Sequence, residues 1–346
     1  MKSHTAITPR CRLRRGVVPY ICEVRPMKLS ARLFLAVAVL FCCACLAFAA
    51  DDVSQLLSQP GANFHLPAPN GPWSVIAYGD MRFTDPANTR VTTPSARRAL
   101  IERIAEEHPD ALLLSGDVPY SGDNASDYAV YQQETASWRR AGLHVYPALG
   151  NHELHGGASL ENWWSAFPEL RGRRWYSVEF GESYFITLDS NLPLTEGSRQ
   201  QQWLAEQLRT LPKQTRWLFI TLHHPPVADG IVLNPSHNVR PNEAALARQL
   251  EAAAPSLRAR IIVAAGHIHA YQRFERNGVI YLVTGGGGAA QHHIHRTPED
   301  LYQDNVYPNF HYIRFESARD SLKATVYRLN DSNGFVVSDT FAVPAK

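Results

Sequence analysis

The chain has 346 residues, with 34 Lys and Arg against 32 Asp and Glu, 15 His and a formal charge of +2. Eight of the basic residues but only one acid (Glu23) fall in the first 50, so residues 51–346 are acidic overall and contain no basic run, which excludes nucleic acid as a bulk polyanionic partner. All five cysteines (Cys11, Cys22, Cys42, Cys43, Cys45) also precede residue 50, which excludes a cysteine nucleophile or a disulfide from the remainder, a stretch long enough to be held by its core alone.

Residues 33–46 are wholly apolar or small; Lys28 and Arg32 precede them and Ala47-Phe48-Ala49 follows. That is the pattern of a secretory signal peptide, starting naturally at Met27, and it is short of the ~20 residues of a spanning helix. The expectation is a leader and signal peptide over 1–49, a secreted or periplasmic protein, and no membrane contact in the mature form. Residues 50–72 are polar, with Pro60, Pro67, Pro69 and Pro72, and read as a linker or arm before a single domain over 73–346.

A strand over 73–79 ends at Asp80. Helical spacing marks 94–108, and the apolar strand 111–114 ends at Asp117. A helix over 127–141 precedes a strand over 143–149, which ends at Gly150-Asn151-His152-Glu153. The middle reads as a short helix over 160–167, paired strands over 175–180 and 183–188, and an amphipathic helix over 198–211. A strand over 216–222 ends at His223-His224-Pro225-Pro226. After a helix over 242–254, the strand 260–265 ends at Gly266-His267-Ile268-His269. A hairpin over 271–276 and 279–284 turns at Asn277-Gly278, and three strands follow, over 311–315, 322–329 and 335–341. The strand–helix rhythm predicts an α/β chain with a largely parallel, buried sheet.

Each early strand hands over to a residue that can bind metal: Asp80, Asp117 with Tyr120, Asn151 with His152, His223, and His267 with His269. Open α/β sheets place ligands at that edge. Two hard ions close together need a shared carboxylate to offset their repulsion, with oxygen and imidazole donors around it, and this set has that composition. If His267-Ile268-His269 is extended, period-2 alternation points both rings the same way.

In this order the clusters Gly79-Asp80, Gly116-Asp117-x-x-Tyr120, Gly150-Asn151-His152-Glu153, His223-x-Pro225 and Gly266-His267-x-His269-Ala270-Tyr271 resemble the calcineurin-like metallophosphoesterase superfamily, and within it the purple acid phosphatase-like branch. The resemblance implies two stacked mixed β-sheets flanked by helices, a four-layer sandwich. It also implies an exported phosphoesterase acting on small phosphate mono- or diesters, with attack by a hydroxide held on a pair of metal ions. Asp117 would bridge the ions; Asp80, Tyr120 and His269 would complete one site, and Asn151, His223 and His267 the other. His152 would serve the substrate as proton donor or transition-state stabiliser. The phenolate of Tyr120 would favour Fe3+, beside Zn2+, Mn2+ or Fe2+.

One motif departs from the superfamily pattern. Asp80-Met81-Arg82 sets a cation where most members have a histidine and the purple branch a glycine. Arg82 either pairs with Asp85 or Glu153, or holds a phosphate oxygen with its planar fork. The same departure leaves open a non-catalytic phosphate- or phospholipid-binding protein with a remodelled first site. His224 reads as a support of the ligands or a packing partner of Pro226, His155 as an entrance or loop residue, and Glu153 as a group beside the site. His292, His293 and His295 read as a surface or rim tract, and 285–288 as a tight turn near the site. Asp189 and Asn191 read as capping or supporting it.

Overall fold

The computed structural model describes residues 61–157, 159–170, 172–232 and 237–346. The leader and signal peptide expected over 1–49, and the start of the stretch read as an arm, lie outside the described residues. Among the described residues no helix is long and apolar enough to cross a membrane.

Alternation along the buried strands decides the architecture. In the strand Trp217–Leu222 every residue is buried. Trp217 and Phe219 face one apolar cluster, and Leu218, Ile220 and Leu222 face another. A strand apolar on both sides needs cover on both sides. The seven-stranded sheet that contains it, in spatial order, joins β1 (Ala62–His65), β5 (Tyr176–Phe180), β6 (Ser183–Thr187), β7 (Trp217–Leu222), β8 (Arg260–Ala265), β10 (Val279–Thr284) and β9 (Tyr271–Arg276). Strands β6, β7, β8 and β10 run parallel. The six-stranded sheet runs β13 (Phe335–Pro344), β12 (Ser321–Leu329), β11 (His311–Ser317), β2 (Ser74–Tyr78), β3 (Ala111–Leu114) and β4 (His144–Pro147), with β2, β3 and β4 parallel.

The two sheets stack face to face. Phe219 of β7 meets Phe315 of β11 edge-on at 5.0 Å. Outside the seven-stranded sheet lie α4 (Arg199–Arg209) and α5 (Pro241–Ala253), whose Leu204, Leu208, Leu246 and Leu250 cover Leu218, Ile220, Ile261 and Val263. On the six-stranded sheet lie α1 (Pro94–Glu106), α2 (Ala125–Glu134) and α3 (Ala136–Arg140), with Trp138 edge-on to Tyr78 at 6.3 Å. Each of these buried large side chains contributes about 1.5–3 kcal/mol. The result is helices, sheet, sheet, helices: the four layers expected.

The departures from the expected elements are local. The stretch read as an arm contains β1, which adds a parallel edge strand to β5, with Phe64 edge-on to Tyr176 at 5.6 Å. Four residues with one large apolar side chain among them carry no strand signal by themselves. The helix expected over 127–141 starts earlier, because Asn124 caps the amide of Ser126, and it breaks at Thr135. The Thr135 hydroxyl donates to the Tyr131 carbonyl at 2.6 Å beside the Thr135 amide at 3.0 Å, and the Trp138 amide turns to the Thr135 carbonyl, three residues back, at 3.0 Å. The strand expected over 143–149 pairs only as His144–Pro147, after which the chain leaves the sheet toward Asn151.

Candidate metal centre

The carboxyl ends of β2, β3, β7 and β8 meet in one place. Asp80, Asp117 and His267 follow three of these strands with left-handed backbone, at φ of 61°, 52° and 69°. Such conformations disfavour residues with a side chain and persist where surrounding structure enforces them. The enforcing contacts are hydrogen bonds between the turns. The amide of Asp80 donates to the Gly116 carbonyl at 3.0 Å, and the amide of Gly266 to the His223 carbonyl at 2.9 Å. The amide of His267 donates to Asp80 Oδ2 at 3.0 Å. Glycines leave room for the carboxylates: a Cβ at Gly266 would lie 2.4 Å from Asp80 Oδ2, and one at Gly150 would lie 2.3 Å from Asp117 Oδ1.

Glu153, fully buried, organises this rim from behind. Its carboxyl accepts the amides of Gly150 at 2.7 Å, Val118 at 2.8 Å and Asp117 at 3.2 Å. Burial, and secondarily Asp117, pushes its pKa well above the usual range. Asn191 braces the same loop, its amide donating to the Gly150 carbonyl at 3.1 Å, while Asp189 pairs with Arg174.

Two groups of donors face each other across Asp117. In the first, Asn151 Oδ1 lies 3.0 Å from His223 Nε2 and 3.1 Å from His267 Nδ1, and the two nitrogens are 3.3 Å apart. His223 Nε2 is also 3.2 Å from Asp117 Oδ1. Because His223 Nδ1 donates to the Ser115 carbonyl at 2.9 Å, its Nε2 presents a lone pair to this group. In the second, His269 Nε2 lies 3.4 Å from Asp80 Oδ1. Its Nδ1 donates to the Ala290 carbonyl, and Nε2 is buried without a hydrogen-bond partner. A cluster of lone pairs with one orphaned imidazole nitrogen, built from carboxylate, amide and imidazole, fits hard or borderline metal ions. Asp80, Asp117 and His223 form one set close enough to share an ion; His223, His224 and His267 form another.

The electrostatics are uneven. Burial raises Asp80 to about 7, with Asp117 adding to the rise and His223 and Arg82 opposing it. Burial also acts to raise Asp117, but His223, His152 and Arg82 outweigh it and hold that carboxyl well below the usual range. A cation between the two would ionise both.

Arg82 corrects one expectation. It pairs with neither Asp85 nor Glu153. Its Nη2 and Nε donate to Asp117 Oδ2, at 3.1 and 3.4 Å. The buried Arg97 fixes this turn, donating to the Arg82 carbonyl at 3.2 Å. The main-chain amide of His152 donates to Asp117 Oδ1 at 3.0 Å, and its Nε2 stands 3.8 Å from Asp117 Oδ2. The Tyr120 carbonyl accepts from His152 Nδ1, and the Tyr120 ring lies 5.4 Å from the His152 ring. The exposed His155 packs on the outer side of His152, ring centres 4.0 Å apart.

The His-x-His segment is not extended. The left-handed His267 turns the chain, so His267 Nδ1 joins the Asn151 group while His269 Nε2 faces Asp80. His224 is tied to Ser190 Oγ through Nδ1 (2.8 Å), with its ring 4.4 Å from that of His267. Two more histidines reach the centre, one from a loop with no sequence signal and one from the tract read as a surface or rim. His237, in a loop with no readable motif, stacks on His267 at 4.5 Å. His292 leaves the rim tract to stack on His269 at 4.1 Å, and its Nδ1 accepts the His269 amide at 3.1 Å. The glycine run packs against Asp80, since a Cβ at Gly285 would come within 2.8 Å of Asp80 Oδ2.

The comparisons with known proteins point the same way. A family model described as calcineurin-like phosphoesterase matches residues 76–271. The chain is similar to a probable purple acid phosphatase 20 of Arabidopsis thaliana, 26% identical over 219 residues, covering 55% of this chain and 48% of that protein. It is similar to a nucleotide pyrophosphatase/phosphodiesterase of Hordeum vulgare, 25% identical over 287 residues, covering 69% of this chain and 76% of that protein. A purple acid phosphatase from yellow lupin (Lupinus luteus) seeds shares the fold, with a TM-score of 0.65 at 18% identity over 80% of this chain and 55% of that one. The chain thus spans about half the length of the Arabidopsis and lupin proteins.

Proposed function

Since the chain belongs to the calcineurin-like phosphoesterase family, on its purple acid phosphatase-like side, we propose that it hydrolyses small phosphate mono- or diesters at a two-metal centre, outside the cytoplasm. The observation that carries this reading is the convergence of Asp80, Asp117, Asn151, His223, His267 and His269, with lone pairs facing inward and His269 Nε2 orphaned. Asp117 would be shared between the ions; Asp80, His269 and Tyr120 would hold one, and Asn151, His223 and His267 the other. A ferric ion suits the phenol of Tyr120, with Zn2+, Mn2+ or Fe2+ beside it. When bound, such a pair supplies an ionised water and offsets charge on the phosphoryl oxygens.

The chain's own groups do the rest. His152, its Nδ1 proton committed to the Tyr120 carbonyl, turns Nε2 toward the centre; there the ring takes up a second proton beside the Asp117 carboxylate and passes it to the leaving oxygen, returning to the neutral imidazole. Arg82 exchanges Asp117 Oδ2 for a phosphate oxygen, orienting the ester through its fork. The signal-peptide pattern of residues 27–49 supports export.

The test is metal analysis of the purified protein together with release of p-nitrophenol from its phosphate and bis-phosphate esters. Two bound ions and turnover support the reading; a fully loaded protein inert on every ester overturns it. His152→Ala is expected to cut kcat by roughly 10²–10⁴ while metal content is retained. The contact of Arg82 with Asp117 favours one rival, a non-catalytic phosphate binder with a remodelled first site. A single bound ion, with phosphate affinity but no turnover, would select that rival.

A further inference from the structure

Beside the centre lies a cavity of about 320 Å³ whose lining includes Ala270, His292, His293, Ile294, Arg296, Val306 and Tyr307. Ala270 follows His269 in the chain, and His292 stacks on it, so the cavity adjoins the metal centre directly. Its volume lies within the range of small-molecule sites. Tyr307, half-exposed, stacks on the exposed His293 with ring centres 3.8 Å apart and planes 17° from parallel. This makes a face-to-face aromatic pair at the surface, each ring keeping one face uncovered by the other, with Ile294 and Val306 for apolar neighbours.

The charge in the cavity is already matched. Arg296 is its one Lys or Arg, and its guanidinium pairs with Asp300, donates to the Tyr271 carbonyl at 3.1 Å and lies over the Tyr302 ring at 4.9 Å. A second phosphate would therefore find no uncommitted cation among the lining residues. One donor does remain: Arg296 Nε, on a side chain only 6% exposed, has no hydrogen-bond partner. A buried N–H of this kind favours a ligand that brings an acceptor.

We propose that this cavity is the leaving-group subsite of the centre and takes a flat, uncharged aromatic group, stacked on an outer face of the Tyr307–His293 pair, with an acceptor turned to Arg296 Nε. The proposal rests on the phosphoester reading of the metal centre. It makes aryl or nucleobase-bearing esters the preferred class over short alkyl esters.

Phosphonates separate the two claims, because their carbon–phosphorus bond is not hydrolysed. Calorimetric titration of the metal-loaded protein should give phenylphosphonate an affinity about tenfold above methylphosphonate, the range of one aromatic stacking contact. In the doubly substituted protein, His293→Ala with Tyr307→Ala, that ratio should fall toward one. Both side chains are exposed, and an unchanged unfolding midpoint would show that the fold is intact. Equal affinities in the wild type, a preference that survives the double substitution, or no binding of either phosphonate would each overturn the subsite. Ester hydrolysis is scored separately. A phenyl preference without turnover leaves the cavity assigned and removes the hydrolase reading. Turnover without a phenyl preference does the reverse.

Discussion

Arg82 is the side chain on which the chemistry turns. Its contact with Asp117 Oδ2 lies at the carboxylate oxygen opposite the one facing His223, so it neutralises half of the carboxylate proposed to be shared. Arg82→Ala removes a charge-assisted fork worth about 1.5–3 kcal/mol, so inhibition by inorganic phosphate should weaken roughly tenfold or more. Unchanged phosphate inhibition would reduce Arg82 to a local counter-charge. Tyr120 makes a second prediction at the same scale. If its phenol meets a ferric ion, the loaded protein absorbs in the visible, and Tyr120→Phe abolishes the band. A colourless but active wild type would take iron, though not hydrolysis, out of the proposal.

Among the elements, α1 and α2 matter because they hold the Arg82 turn. Arg97 of α1 has a guanidinium with 0% exposure, and Glu134 at the end of α2 meets it twice, at 2.8 and 3.0 Å. Its remaining nitrogen reaches the Arg82 carbonyl and Thr92 Oγ1, and the group lies over the Phe83 ring. Removing one partner of a buried pair strands the other charge, so Glu134→Ala should destabilise by about 3–5 kcal/mol in denaturant unfolding, and Glu134→Gln by less. A loss below about 1 kcal/mol would show the pair to be solvent-screened after all. The break at Thr135, which places Glu134 at the end of its helix, was invisible in the apolar spacing because it is a local change of backbone turn at a polar residue. The strand β1 was hidden for another reason: its pairing partner, β5, lies more than 100 residues away.

Across the whole molecule, buried imidazoles and buried carboxyls set the response to acid, with opposite signs. Burial, the largest cause, lowers His311 from 6.5 to about 4, opposed by its bond to the Asn309 carbonyl. Between those values the unfolded chain binds a proton that the folded chain does not. Stability therefore rises with pH through this window and is lost as pH falls toward 4, by up to about 3 kcal/mol for this group. His152, lowered chiefly by burial to about 4, acts with the same sign. Asp80 and Glu153, raised by burial, act with the opposite sign, so His311 is read by difference: between pH 7 and 4.5 the urea midpoint of the metal-free wild type should fall relative to that of His311→Gln. The same pH dependence in wild type and His311→Gln would contradict the buried, neutral imidazole.

Residue chemistry and its order along the chain were enough to nominate Asp80, Asp117, Asn151, His223, His267 and His269, because each follows a strand whose apolar run is written locally. They also sufficed for an α/β chain with a buried, largely parallel sheet, since the strand–helix rhythm and continuous apolar runs are local patterns, whereas the stacking of two sheets was implied only by the family resemblance. What the chain in one dimension could not decide was which lone pairs meet. The left-handed turns at Asp80, Asp117 and His267, the partner of Arg82, and the arrival of His237 and His292 against the ligands all depend on contacts between segments far apart in sequence. Orientation at a strand end is set by backbone torsion and packing after the sheets have stacked, and neither is encoded in the residue that is being aimed.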